Sequence, residues 1–181
     1  MAENLRVTHY RNGDPIAEVS DREVWAGHVT GAYCTYDNSP GNADIYGLLY
    51  NWHAVNDRRK LAPTGWHIPT DQEWQTLIDY LGGNSYAGVV MKDSSGWVEN
   101  GNGNNISKFT ARPGGVRTSN GVFDGIEYSA SFWSSSEIST DGAWGRWLSY
   151  LSPGIGLDDA NQLDGFSVRC VRDRFIPEPK K

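Results

Sequence analysis

The sequence lacks several features that mark common protein classes. No apolar stretch approaches the ~20 residues that a transmembrane helix needs, so we expect no membrane span. Only 16 of the 181 residues are lysine or arginine, they are scattered, and the formal net charge is −6. Because binding to a phosphate backbone requires clustered positive charge, we expect no nucleic-acid partner. Residues 1–14 show no apolar core of a signal peptide.

Cysteine and histidine are also scarce. The two cysteines, Cys34 and Cys170, lie far apart, and the four histidines are dispersed. No spacing matches a zinc site, so we expect no metal and no other cofactor. The two cysteines either form one disulfide, as in an exported protein, or remain two buried thiols, and the sequence leaves both alternatives open.

Glycine and aromatic residues are abundant instead, with 21 glycines, eight tryptophans and nine tyrosines. This composition, with few helical periodicities, favours short strands, tight turns and long loops. It predicts an α+β domain over residues 1–174, with one or two helices, followed by a flexible tail at 175–181.

The clearest local signal is a helix that begins after residue 70. Thr70 and Glu73 have the spacing of a capping box, in which each side chain bonds the other residue's backbone N–H. An amphipathic face follows, and Gly82-Gly83 ends the helix. A shorter second helix is predicted over 87–92. The apolar face of the first helix consists of Trp74, Leu77, Ile78 and Leu81.

A predicted strand over 144–151 carries the main candidate for binding. Its alternation assigns Trp144, Leu148 and Tyr150 to the core. The opposite face then exposes Trp147 and Leu151 among small residues, and exposed apolar patches usually contact something. Trp147 is the candidate hot spot, although it could instead pack under a loop.

Several motifs stand out along nearly the whole chain: Met1–Leu5, Thr8–Gly13, Gly31–Cys34, Tyr46–Trp52, Gly65–Thr70, Phe132–Glu137 and Gly165–Asp173. In this order they resemble the Fibrobacter succinogenes major paralogous domain (FISUMP). The resemblance implies a C-type-lectin-like fold related to the formylglycine-generating enzyme class. It also implies an extracellular or cell-surface protein of gut and related bacteria.

One segment departs from the family pattern. Between Trp144 and Gly165 the family is typically rich in asparagine, whereas this chain has a mixture of residues. The contrast resembles the variable proteins of diversity-generating retroelements, and ordinary drift of an exposed loop is the alternative. The candidate ligand-binding residues in this segment are Gly145, Trp147, Ser149, Leu151, Ser152, Gly154, Leu157, Asp158, Asp159, Asn161, Leu163 and Asp164.

The sequence offers less evidence for catalysis than for binding. No segment matches the active-site cysteines of the sulfatase-modifying relatives, and Ser134–Ser136 lacks the frame of a nucleophile elbow. The acidic residues after 157 are oxygen donors without a recognisable calcium motif. We therefore predict no catalytic residue.

The predicted function is recognition of a protein or glycan on another cell or surface, as an adhesin or a phage receptor-binding protein. Two alternatives remain: a structural envelope module without a ligand, and an enzyme that depends on Cys170 or Glu137.

Overall fold

The fold is seen in a computed structural model that describes residues 1–174, so the tail predicted at 175–181 lies outside the described residues. The strands are β1 (Ala17–Glu18), β2 (Ala32–Cys34), β3 (Leu49–Tyr50), β4 (Trp66–His67), β5 (Gly114–Arg117), β6 (Phe123–Ile126), β7 (Ser129–Glu137), β8 (Gly142–Ser149), β9 (Gly156–Asn161) and β10 (Val171–Arg172). The α-helices are α1 (Arg22–Ala26), α2 (Pro40–Tyr46), α3 (Trp52–Val55), α4 (Asp71–Tyr80) and α5 (Ala87–Met91), and one 3₁₀ turn spans Tyr36–Asn38.

A five-stranded sheet dominates the second half, in the order β6-β5-β7-β8-β9. Its neighbours are antiparallel except for the β5–β7 pair. Two smaller sheets, β1-β2-β3 and β10-β4, complete the strands. The α+β class predicted from the composition is therefore confirmed.

The predicted helix after residue 70 is α4. Thr70 Oγ1 accepts from the Glu73 N–H at 3.2 Å, and Glu73 Oε2 accepts from the Thr70 N–H at 2.9 Å. The complete capping box satisfies two N–H groups that a helix start otherwise leaves without partners. Gly82 and Gly83 end the helix with φ of 102° and 88°. The second predicted helix is α5.

The prediction of only one or two helices is wrong, because the structure has three further helices, α1, α2 and α3. The sequence gives no sign of α1 and α2, and for residues 46–55, which contain α3, it predicts a strand or a short helix. Each spans seven residues or fewer, too short to show the repeating apolar face by which helices are recognised. Local caps define them instead: Asp21 accepts two N–H groups at the start of α1, and Pro40 opens α2.

For residues 166–172 the sequence predicts a final strand with Phe166, Val168 and Cys170 on one face, and here too the structure differs. Only β10 forms a regular ladder there, and residues 165–170 are all buried. The Phe166 N–H and C=O bond Tyr50, while Ser167 bonds Ser131 and Trp133 of β7. The Phe166 ring stacks on Trp133 with 4.3 Å between ring centroids. The segment therefore packs between the N-terminal half and the main sheet instead of extending one of its edges.

Both cysteines are buried free thiols in different apolar clusters. The disulfide alternative therefore does not hold in this structure. Burial raises the pKa of Cys34 and of Cys170 to about 11, and both remain protonated near neutral pH.

His67 links α4 to the C-terminal end of the described chain. Its Nδ1 lies 2.7 Å from Asp173 Oδ1 and its Nε2 lies 2.8 Å from Glu73 Oε1. Only protonated histidine can donate from both nitrogens. The hydrogen bond to Asp173, with a further one to Glu73, accordingly raises the pKa of His67 above its usual range.

This arrangement predicts a pH-dependent contribution to stability. A raised pKa in the folded chain adds stability that is fully present below the unfolded pKa of about 6.5 and lost as pH rises through the folded value. All three side chains are more than a third exposed, so we expect less than about 1 kcal/mol. Urea titrations of His67→Gln and the unmodified chain should differ more at pH 5.5 than at pH 8.5; equal differences would contradict the assignment.

Candidate functional site

The β8–β9 hairpin holds most of the candidate binding residues, but on two different faces. Residues directly opposite each other in an antiparallel pair point to the same side. Trp147 is opposite Gly156 and Gly145 is opposite Asp158, which defines the Trp147 face. Leu157, opposite Arg146, and Asp159, opposite Trp144, lie on the other side, the Arg146 face. The hairpin therefore places on opposite faces several residues that the sequence analysis assigned to one binding surface.

Trp147 lies flat across the neighbouring strand. A Cβ added to Gly156 would be 2.2 Å from its Cε2 and Nε1 atoms, so the ring occupies the space that a side chain at 156 would need. The residue is 38% exposed, and the alternative in which it packs under a loop is wrong. One side of the indole rests on backbone and the other is available for contact.

Gly145 was predicted to belong to the binding surface but is buried. A Cβ at this position would lie 3.0 Å from the Phe166 ring, which covers this end of the Trp147 face. The assignment of Trp144 to the core is also wrong, because Trp144 is half-buried. Leu148 is fully buried as predicted, and half-buried Tyr150 packs edge-on against Tyr128.

Residues at the two ends of α5 hydrogen-bond to the turn between β8 and β9. Nζ of buried Lys92 donates to the carbonyls of Ser149 and Ser152, each at 3.0 Å, and burial lowers the Lys92 pKa. The Ile155 N–H donates to the Asn84 carbonyl at 2.8 Å. Lys92 and the residues around it therefore fix the backbone of this turn.

Two candidates in this turn serve the scaffold. Gly154 is buried, and a Cβ there would lie 2.4 Å from the Asn84 carbonyl oxygen. The prediction that Gly154 belongs to the binding surface is therefore wrong. Ser152 is half-buried and gives its carbonyl to Lys92. Leu151, 76% exposed, is the candidate that the turn presents to solvent.

The chain after β9 is ordered by Asp164. Its Oδ1 accepts from the Ser119 N–H at 2.6 Å and its Oδ2 from the Asn161 N–H at 3.1 Å. Burial nevertheless raises its pKa to about 6, and the nearby Asp158 charge acts in the same direction. Half-buried Leu163 accepts a bond from Trp25 through its carbonyl, while Asn161 is exposed.

Asp158 and Asp159 differ in environment although they are adjacent. Asp158 is half-buried on the Trp147 face, and burial, together with the charge of Asp159, raises its pKa. Asp159 is exposed on the Arg146 face. Among residues 1–174, neither forms an ion pair, and no acidic, cysteine and histidine cluster there is arranged for a metal ion.

A polar cleft of about 430 Å³ near the opposite end of β9 was not predicted. Gln162 donates to Glu137 Oε1 at 3.3 Å at its edge, and burial, then the nearby His28, lowers the pKa of His53 in the wall. Cys170 does not line this cleft. No sequence spacing could have revealed it, since its walls come from distant segments. Lining residues include Thr30, His53, Asp57, Arg59, Glu137 and Gln162.

The close packing under the turn predicts that Gly154→Ala is destabilising by about 1–3 kcal/mol, because the added methyl must displace backbone. Gly41→Ala in α2 is the matched control, since no atom lies within 4 Å of its added Cβ, and it should be neutral or slightly stabilising. Urea unfolding of both variants measures the effect. Equal stability of the two variants would show that the turn is not a fixed support.

Comparison with known families gives one clear relationship. A family described as the Fibrobacter succinogenes major domain matches residues 1–172. No curated protein and no solved structure shows significant similarity to the chain. Within residues 1–174, none of the helices is long and apolar enough to cross a membrane.

Proposed function

The chain belongs to the Fibrobacter succinogenes major domain family, and we propose that it is a non-catalytic ligand-binding domain. It would recognise a protein or glycan on another cell or surface, as an adhesin or a phage receptor-binding protein. The observation that carries this proposal is Trp147, a large aromatic ring held flat on the β8–β9 hairpin at the edge of the main sheet, with one side open. Such pre-positioned aromatic residues supply much of the binding energy at interfaces.

The division between support and display also favours this function. Lys92, Gly154 and the Phe166 ring hold the hairpin backbone in place. Exposed side chains project from this fixed frame, and substitutions at such positions usually change stability by less than ~0.5 kcal/mol. A surface of this kind can change its ligand without loss of the fold. The exposed candidates are Trp147 on its own face, Leu151 in the turn, and Leu157, Asp159 and Asn161 on the Arg146 face.

The proposal includes a C-type-lectin-like fold and an extracellular or phage-particle location. The fold assignment is supported by the meeting of the two ends of the domain, where the Leu5 N–H donates to the Val168 carbonyl at 2.9 Å. It is also supported by the long irregular segment between α5 and β5, residues 92–113.

Catalysis is supported less well. Burial raises the pKa of Cys170 to about 11, whereas a nucleophilic cysteine needs a low pKa and access to substrate. Glu137 lies at the polar cleft, which Cys170 does not reach. A structural envelope module would explain the stable frame, but it gives no reason to hold Trp147 at the surface.

The binding proposal predicts that Trp147→Ala weakens attachment to the target surface by at least ~30-fold, the loss of a hot spot worth about 2 kcal/mol. The measurement is binding of the labelled domain to glycan arrays and to co-resident bacterial cells. Tyr80→Ala is the control, because Tyr80 is an 86% exposed aromatic residue on α4. Equal binding by both variants and the unmodified chain would remove Trp147 from the site.

We also propose that the exposed positions of this segment are diversified by a retroelement, which predicts a pattern of natural variation. Deep amplicon sequencing of the gene in its source population should find variation concentrated at codons 147, 151, 157, 159 and 161. Codons 145, 148 and 154 should stay fixed, because their residues are buried. Variation spread evenly across the gene, or none, would contradict targeted diversification and leave the binding proposal in place.

A further inference from the structure

We propose that the Trp147 face binds a protein through an exposed lysine or arginine side chain that docks between the Trp147 ring and the Asp158 carboxylate. This inference rests on the proposed function and narrows its ligand from any protein or glycan to a protein with basic surface groups. Three observations lead to it: the space between the two side chains, the missing counter-charge of Asp158, and the negative charge around it.

No other side chain of the hairpin stands between Trp147 and Asp158, and the Phe166 ring borders this space on the Gly145 side. The two residues lie diagonally across the β8–β9 pair, and the two positions that complete the square, Gly145 and Gly156, have no side chains. Diagonal positions are about 7–8 Å apart, within reach of long side chains. A cation attracted to an aromatic face lies within about 6 Å of the ring centre. One cationic group can therefore contact both the ring and the carboxylate.

Asp158 lacks a positive partner inside the molecule. Within residues 1–174, ion pairs engage eight other carboxylates, yet Asp158 has neither an ion pair nor a side-chain hydrogen bond there. The nearest strand arginine, Arg146, points to the opposite face and pairs with Asp71. A half-buried carboxylate beside an exposed aromatic ring is complementary to a cation and would repel an anion.

The negative charge around Asp158 also favours a cationic ligand. Asp164 lies close enough to Asp158 for its pKa to be raised by that charge, and the chain as a whole carries a formal net charge of −6. A bound cation would favour ionised carboxylates and lower both pKa values. Burial and the charge of Asp159 raise the pKa of Asp158, and because protonation removes its negative charge, the affinity should fall as the solution is acidified.

The test uses NMR titration of the full chain with Nα-acetyl-arginine amide, followed through the indole N–H signal of Trp147. Nα-acetyl-citrulline amide is the neutral probe of the same shape, and methyl glycosides test the glycan alternative. We expect a saturable shift with the arginine probe and at least tenfold weaker binding of the citrulline probe. The arginine affinity should be several-fold lower at pH 5 than at pH 7.5.

Two variants provide the decisive comparison. Asp158→Asn should weaken arginine binding at least fivefold, whereas Asp159→Asn, the same charge change one residue away on the opposite face, should change it less than twofold. Retained dispersion of the spectrum shows that both are folded. Equal losses would indicate only long-range attraction and overturn the proposal, as would equal binding of arginine and citrulline or a response to glycosides alone.

The outcome for this inference is separable from that for the proposed function. Loss of cell-surface binding on Trp147→Ala, without any arginine-specific response, would retain the binding function and refute the cationic ligand. An arginine response without cell-surface binding would support the cation site and contradict the proposed recognition of another cell or surface.

Discussion

The packing of residues 165–170 is the constraint on which the rest of the structure depends. All six residues of this short segment are buried, and their backbone bonds reach four separate parts of the chain, including the N-terminal segment, where the Val168 carbonyl accepts from the Leu5 N–H. Gly165 exchanges two backbone bonds with Arg117 of β5, Phe166 exchanges two with Tyr50 of β3, and Ser167 bonds β7. Since buried backbone groups must be paired, these contacts fix how the N-terminal half meets the main sheet. Much of the apolar core then forms around Phe166 and Trp133.

The same packing determines where the binding surface can be. The Phe166 ring covers the Trp147 face at Gly145, while Leu148, toward the end of β8, is buried in the cluster around α4 and α5. The Phe166 ring and the cluster around α4 and α5 therefore cover opposite faces of β8. The exposed aromatic surface is therefore confined to the far end of the Trp147 face, where glycine at 156 lets the indole lie flat.

Buried cations, held mainly by carbonyl groups, support the irregular parts of the chain. Arg117 is fully buried, donates to the carbonyls of Val19, Ser20 and Asp21, and lies 4.4 Å from the Trp25 ring centre. Arg169 donates to the carbonyls of Phe109 and Thr110, and burial lowers its pKa to about 9. Lys92 likewise donates to two carbonyls of the β8–β9 turn. Because each cation satisfies several carbonyls at once, loops without regular hydrogen bonds become fixed supports.

The sequence alone determined the features that depend on neighbours in the chain. The capping box at Thr70 and Glu73, the glycine stop and the α+β class follow from local spacing and composition, and the family resemblance follows from ordered motifs. The sequence also indicated that Trp147 faces outward, because strand alternation is local. Tertiary structure alone decided that Gly145 and Gly154 are buried, that Trp144 is not core, and that Asp158 and Asp159 lie on opposite faces. Those outcomes depend on Phe166, Asn84 and the β8–β9 register, which come together from distant positions and leave no periodic signal in the sequence.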